Sequence, residues 1–231
     1  MKTNSILELS LHNFDADNPT PRLPIIICLE TSSSMNGEPI DFLNDALKNF
    51  YKSISDNVYA KYATEICVVS FSDKTNIESG FKLVDDRTSV NLFASGKPCM
   101  GQAIHKSIEL ISERIGIYTS TGTPYFQPWL IILSSNKDST ESNDVIQSAL
   151  KKCNDLEING KLVVFPVGIE KDANYQLLNK FSARQRAYKI NHHKFDLFFE
   201  WLSKSISDVS LTKTGDTINL PTATISTWGE L

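Results

Sequence analysis

Ile25-Ile26-Ile27-Cys28-Leu29-Glu30-Thr31-Ser32-Ser33-Ser34-Met35-Asn36-Gly37-Glu38-Pro39-Ile40 is an apolar run that ends in an acid, passes through three consecutive serines and re-emerges as a helical pattern. It reads as a buried strand, a polar loop and a helix. In open α/β sheets the crevice at the carboxyl ends of the strands is where ligands bind. The carboxylate of Glu30 and the hydroxyls that follow it are therefore candidates for a site.

The chain on either side of this stretch repeats its pattern. A strand is predicted over 23–29, and Pro39 suits the first position of a helix whose Ile40, Leu43, Leu47, Phe50, Tyr51 and Ile54 make one stripe. Strands over 65–72 and 75–84 are separated by a turn too short for a parallel crossover, which predicts an antiparallel edge hairpin. The loop 93–98 should return to the crevice and open a helix with Met100, Ile104, Ile108, Ile111 and Ile115 on one face. A strand over 129–133 then runs into a polar loop, 134–140, and a helix carrying Val145, Ile146, Ala149, Leu150 and Cys153. A strand over 162–167, a short helix over 173–181, a short strand over 187–190 and a last helix with Phe195, Phe198, Phe199, Leu202, Ile206 and Val209 complete the pattern. Alternation of β and α units predicts a doubly wound α/β fold, mostly parallel, with one antiparallel edge strand and helices on both faces. The domain is expected over 23–210, after a turn-rich lead-in at 1–22. Residues 211–231 are expected to form a tail, and Trp228 argues that it packs on the domain or on a partner.

At 231 residues with a formal charge of −4, and without a Lys/Arg block, the chain lacks a nucleic-acid footprint. Cys28, Cys67, Cys99 and Cys153 have no CxxC spacing and read as reduced thiols. No signal-peptide pattern and no run of about 20 apolar residues occurs, so the expectation is a cytoplasmic protein with no membrane partner.

The serines raise the question of hydrolysis. There is no G-x-S-x-G elbow, however, and His105, His192 and His193 have no spacing that ties them to Ser32 or Ser34. His192-His193 offers half a metal site, but no neighbouring Cys, Asp or Glu cluster in the sequence completes it, and a solvated turn is expected. No phosphate-cradling glycine motif occurs. Trp201 lies off the main stripe of the last helix and is the expected exposed anchor for a partner.

Glu30-Thr-Ser-Ser-Ser-Met-Asn-Gly-Glu-Pro-Ile40 resembles the D-x-S-x-S-M-x-G-x-P-I signature of von Willebrand factor A (VWA) domains, and most closely the bacterial tellurite-resistance-associated, TerY-like branch. Three further segments, 94–104, 122–133 and 198–210, are similar to that branch in the same order. The resemblance implies a metal-ion-dependent adhesion site, in which D-x-S-x-S, a Thr and a second Asp hold Mg²⁺ for a partner's carboxylate. By motif, those positions fall on Glu30, Ser32, Ser34, Pro98 and Ser135. Pro98 has no side-chain oxygen, Ser135 removes a carboxylate, and Glu30 is a methylene longer than Asp, whereas Mg²⁺ demands a near-octahedral oxygen shell. No metal is therefore expected, and Lys97 is a candidate to replace the cation and pair with Glu30. The resemblance further implies a non-enzymatic interaction module of a bacterial stress-response or defence system. Its partners would be a Ser/Thr kinase and a metal-dependent PP2C-type phosphatase. The alternatives are a metal-dependent binder, with Mg²⁺ or Mn²⁺ on Glu30, Ser32 and Ser34, and a hydrolase that uses the serine-rich crevice.

Overall fold

On β1 (Leu23–Glu30), Ile25, Ile27 and Leu29 pack to one side and Ile26 and Cys28 to the other, all fully buried. A strand that is apolar on both sides must be covered on both sides. The computed structural model describes residues 14–85, 87–135, 137, 139–215 and 229–230. The remaining strands are β2 (Thr64–Phe71), β3 (Thr75–Leu83), β4 (Trp129–Ser134), β5 (Val163–Ile169), β6 (Tyr188–Ile190) and β7 (Gly229–Glu230). They lie in the order β3-β2-β1-β4-β5-β6-β7.

The pairs β1/β2, β1/β4, β4/β5 and β5/β6 are parallel, and β3 runs antiparallel to β2 as the short turn after Phe71 predicts. A second antiparallel partner, β7, adds to the single edge strand expected and closes the other edge on β6. Residues 1–13 of the lead-in and Trp228 of the tail lie outside the described residues.

Helices α1 (Glu38–Asp56) and α4 (Phe195–Ser210) cover the face of Ile25 and Ile27. Helices α2 (Met100–Thr121) and α3 (Asn143–Ile158) cover the face of Ile26 and Cys28. Pro39 stands one place inside α1, where its missing N–H has no intrahelical partner to lose. Short turns of helix at Ala60–Ala63 and Tyr175–Leu178 fill the connections. The chain leaves β1 toward β2 on one side and comes back to β4 on the other. The carboxyl ends of β1 and β4 therefore flank the topological switch point, where an open α/β sheet leaves a crevice.

At the opposite end of the sheet a buried ion network ties down the lead-in. Glu65, at the start of β2, is fully buried and accepts from Arg114 Nε at 2.6 Å and from the Tyr118 hydroxyl. Arg22 Nε stands 3.4 Å from its other oxygen, a Coulombic contact without hydrogen-bond geometry. Arg22 also donates to the carbonyls of Asp15 at 2.8 Å and Asn18 at 3.0 Å, which fixes residues 15–22 against the domain. Burial and the Glu65 carboxylate push the Tyr118 phenol well above its usual range. Removing one member of a buried ion cluster strands the others' charge. Glu65→Ala is therefore expected to lower the unfolding free energy by about 3–5 kcal/mol, read from urea denaturation.

All four cysteines are free and buried. Burial, helped by the neighbouring Cys99, pushes the Cys28 thiol up to about 12, and those of Cys67, Cys99 and Cys153 also rise, in each case mainly through desolvation. At pH 8 a thiol of pKa about 12 is thiolate in roughly one molecule in 10⁴. Iodoacetamide is expected to label none of the four in the native protein within the time that labels all four in denaturant, counted by intact mass.

Candidate functional site

Three loops meet at the switch point, and backbone hydrogen bonds stitch them together. The first, after β1, is tied to β2 by Thr31 N–H donating to Phe71 O at 2.9 Å. It is tied to the second loop twice, Ser95 N–H donating to Thr31 O at 2.8 Å and Ser33 N–H to Gly96 O at 2.9 Å. Gly96 has φ +70°, and a Cβ there would fall 2.2 Å from an Asp73 carboxylate oxygen, so glycine is required on both counts. Asp73 in turn accepts the Lys97 backbone N–H at 2.8 Å. The third loop, after β4, reaches the second through Ser139 Oγ donating to Pro98 O at 3.0 Å. Its Glu141 takes the free N–H groups of Gly101 and Gln102 at the start of α2, at 2.7 and 2.9 Å.

Glu30 is fully buried at the centre of this crest. Its Oε1 accepts from the hydroxyls of Ser32 at 2.5 Å, Ser34 at 3.1 Å and Ser135 at 3.0 Å. Its Oε2 accepts from the Ser134 hydroxyl at 2.6 Å and the Ser135 N–H at 2.8 Å. Ser32 and Ser34 are themselves 2.9 Å apart. Of the five positions the motif picks out, Glu30, Ser32, Ser34 and Ser135 thus come together in one hydrogen-bonded cluster. Ser134, expected as the first residue of the polar loop and found as the last of β4, belongs to it as well. Pro98 lies outside the cluster, buried, and offers only its carbonyl.

This donor set does not fit Mg²⁺. The cluster offers one carboxylate where the motif has two, and Pro98, at the position of the motif's Thr, supplies no hydroxyl, so few protein oxygens are left to build a near-octahedral shell. Nor does the arrangement fit a serine nucleophile: among the described residues no imidazole hydrogen-bonds Ser32 or Ser34. Lys97 is a correction to the sequence reading. It is exposed, its contribution to the crest is its backbone N–H, and no ion pair joins it to Glu30. Trp201 is a second correction. It is buried against Phe165 of β5 and Phe198 of its own helix, so the sheet covers a wider arc of α4 than one stripe. The exposed apolar side chain near the crest is Phe93, 79% accessible, two residues before the stitch at Ser95.

A second cluster stands at the neighbouring strand ends. Glu170, just past β5, accepts from His192 N–H and Asn191 Nδ2, both at 3.0 Å, and its Oε1 is 2.5 Å from His192 Nδ1. Burial opposes ionisation of Glu170, but these hydrogen bonds and the His192 ring hold its carboxyl below the usual range. The turn is largely exposed as expected, but the sequence reading found no acid beside it, whereas Glu170 and Glu38 of α1 both reach this histidine pair.

The profile of the von Willebrand factor type A domain matches residues 25–203. The chain belongs to the von Willebrand factor type A family. VWA domains are interaction and adhesion modules and are generally non-enzymatic. Among solved structures, a von Willebrand factor type A protein from Catenulispora acidiphila superposes with a TM-score of 0.63 at 15% identity, over 81% of this chain and 43% of that one. Proximal thread matrix protein 1 from the mussel byssus gives 0.58 at 17% identity, over 81% and 48%. The VWA domain of the type V pili tip protein Mfa5 from Porphyromonas gingivalis gives 0.58 at 10% identity, over 86% and 99%. At these identities the likeness is one of fold. The chain spans less than half the length of the first two. No curated protein matches it by sequence. None of the helices among the described residues is long and apolar enough to cross a membrane.

Glu30→Gln replaces one accepting oxygen by an NH₂ donor facing hydroxyl donors. It is expected to destabilise the VWA domain by about 1–3 kcal/mol in chemical denaturation, whereas Ser33→Ala, on an exposed neighbour with no bond to Glu30, is expected to change stability by less than about 0.5 kcal/mol.

Proposed function

We propose that this VWA domain is a non-enzymatic protein-binding module that grips its partner with the crest formed by residues 30–37, 93–98 and 134–139, without a metal ion at Glu30. The observation that carries this reading is the donor set around Glu30, one buried carboxylate among serine hydroxyls with Pro98 outside the cluster. It lacks the second carboxylate and the threonine hydroxyl that the motif's Mg²⁺ site uses. What the crest presents instead is the exposed Phe93 ring, an aromatic of the kind enriched at interface cores, on the same loop as the exposed Lys97. The resemblance to the TerY-like branch supports a Ser/Thr kinase and a PP2C-type phosphatase as partners in a bacterial stress-response or defence system. Four buried, unpaired thiols favour a reducing compartment such as the cytoplasm.

Two measurements test it. Any ion that binds only the folded protein raises its thermal midpoint by mass action. The midpoint is expected to be unmoved between chelator and millimolar Mg²⁺. A saturable rise lost in Ser34→Ala would instead establish a metal-dependent binder. Capture of the kinase or phosphatase is expected to survive chelator and to weaken about 30-fold or more in Phe93→Ala, a loss of about 2 kcal/mol. Restoring the motif with Glu30→Asp, Pro98→Thr and Ser135→Asp is expected to introduce Mg²⁺ binding and to abolish capture. Ester or phosphoester turnover abolished by Ser32→Ala would favour the hydrolase reading.

A further inference from the structure

We propose that Glu38, His192 and His193 form a binding site for a divalent transition-metal ion of the zinc class, distinct from the Glu30 cluster. One ligand atom from each of the three lies within 4.8 Å of the others. A tetrahedral shell with ligands at about 2.0–2.1 Å has edges of about 3.4 Å, so ligand atoms as far apart as 4.8 Å must close by up to about 1.4 Å. Glu38 and His193 are exposed and free to swing, while His192 is the half-buried, fixed member.

Several observations make this more than a chance meeting of polar side chains. Glu170 is an acceptor, so its 2.5 Å contact makes His192 Nδ1 the donor and leaves Nε2 as the ring's outward nitrogen. That Nε2 is shielded from solvent and has no hydrogen-bond partner among the described residues. An unsatisfied buried nitrogen is costly, and a metal ion would satisfy it. The carboxylate behind the imidazole is the usual means of fixing the tautomer and orientation of a metal-binding histidine. The support behind it is itself rigid. Glu170 adopts φ +68°, a left-handed conformation uncommon for a side-chain-bearing residue, held by its N–H on Ile190 O at 2.7 Å and by the Tyr175 hydroxyl on its carbonyl at 2.7 Å. Asn191 accepts the His193 N–H at 3.0 Å while donating to Glu170, and Phe42 packs against both imidazoles, with centroids 5.9 and 5.1 Å away.

Two imidazoles and one carboxylate select zinc and its neighbours over Mg²⁺ or Ca²⁺, which prefer all-oxygen shells. Three protein ligands leave a fourth position for water or for a donor from a partner. This site is independent of the metal-free reading at Glu30, and one titration separates the two. The tag-free full chain, stripped with chelator, is titrated with Co²⁺ and followed by its visible d–d absorption, and Zn²⁺ is then added in competition. The expected result is one equivalent of Co²⁺ displaced by Zn²⁺ and not by Mg²⁺. The dissociation constant is expected to rise at least 100-fold in Glu38→Gln and in His193→Ala, both exposed positions whose circular dichroism and thermal midpoint without metal should match the parent. In Glu170→Gln the expected rise is 10–100-fold. Binding that is absent in the parent, or that persists unchanged in both Glu38→Gln and His193→Ala, would overturn the proposal. Binding lost in Ser34→Ala and retained in His193→Ala would overturn it too and move the ion to Glu30.

Discussion

A buried carboxylate at the one place where the sheet changes direction governs the chemistry of this domain. Glu30 has no access to water, so its oxygens need partners from the protein, and the loops after β1 and β4 supply them. The first loop must bring Ser32 and Ser34 back over the end of β1, and β4 must end with Ser134 and Ser135 at the same level. Those demands fix the loops relative to each other. The backbone stitches between Thr31, Ser33, Ser95 and Gly96 then hold the second loop against the first. The crest is rigid because its centre cannot be left unsatisfied.

The other buried carboxylate, Glu65, is treated differently. It lies at the start of β2, away from the crevice, and charged groups answer it: Arg114 and Arg22, with Tyr118 alongside. Full counter-charges suit an end of the sheet whose task is to anchor the lead-in, because nothing there needs to approach or leave. At Glu30 the partners are small dipoles on loops. Loops carry function in such folds because the strands beneath hold their ends while their tips stay open to variation. The contrast matches the division of an open α/β sheet into a stabilising end and a binding end.

The elements of the fold were legible because each is long and strongly periodic. The apolar run before Glu30, the stripe from Ile40 to Ile54 and the sequence Trp129–Leu133 place β1, α1 and β4 within a residue or two of their observed ends. The return of the loops to one crevice was legible from the strand ends, while the grouping of Glu30, Ser32, Ser34 and Ser135 came from the resemblance to the VWA motif. What escaped was whatever depends on three-dimensional neighbours. A two-residue strand such as β7 has no period to read. The burial of Trp201 follows from Phe165 of β5 lying against it, which the pattern of α4 alone does not contain. The exposure of Phe93 is likewise invisible in a sequence where most phenylalanines are core. Glu38 and His192 are far apart in the chain, and only the turn of the loop after β6 over the start of α1 brings them together.

The extra methylene of Glu30 is the smallest change with the largest effect on this crest. It extends the carboxylate from the end of β1 far enough to reach hydroxyls on two loops at once, so the side chain itself occupies the middle of the serine cluster. Mg²⁺, which dehydrates reluctantly, finds few protein oxygens here to replace its water. A shorter acid would leave the middle open. Under the proposed reading the length of one side chain therefore decides whether the crest recognises its partner through a shared metal ion or through its own surface.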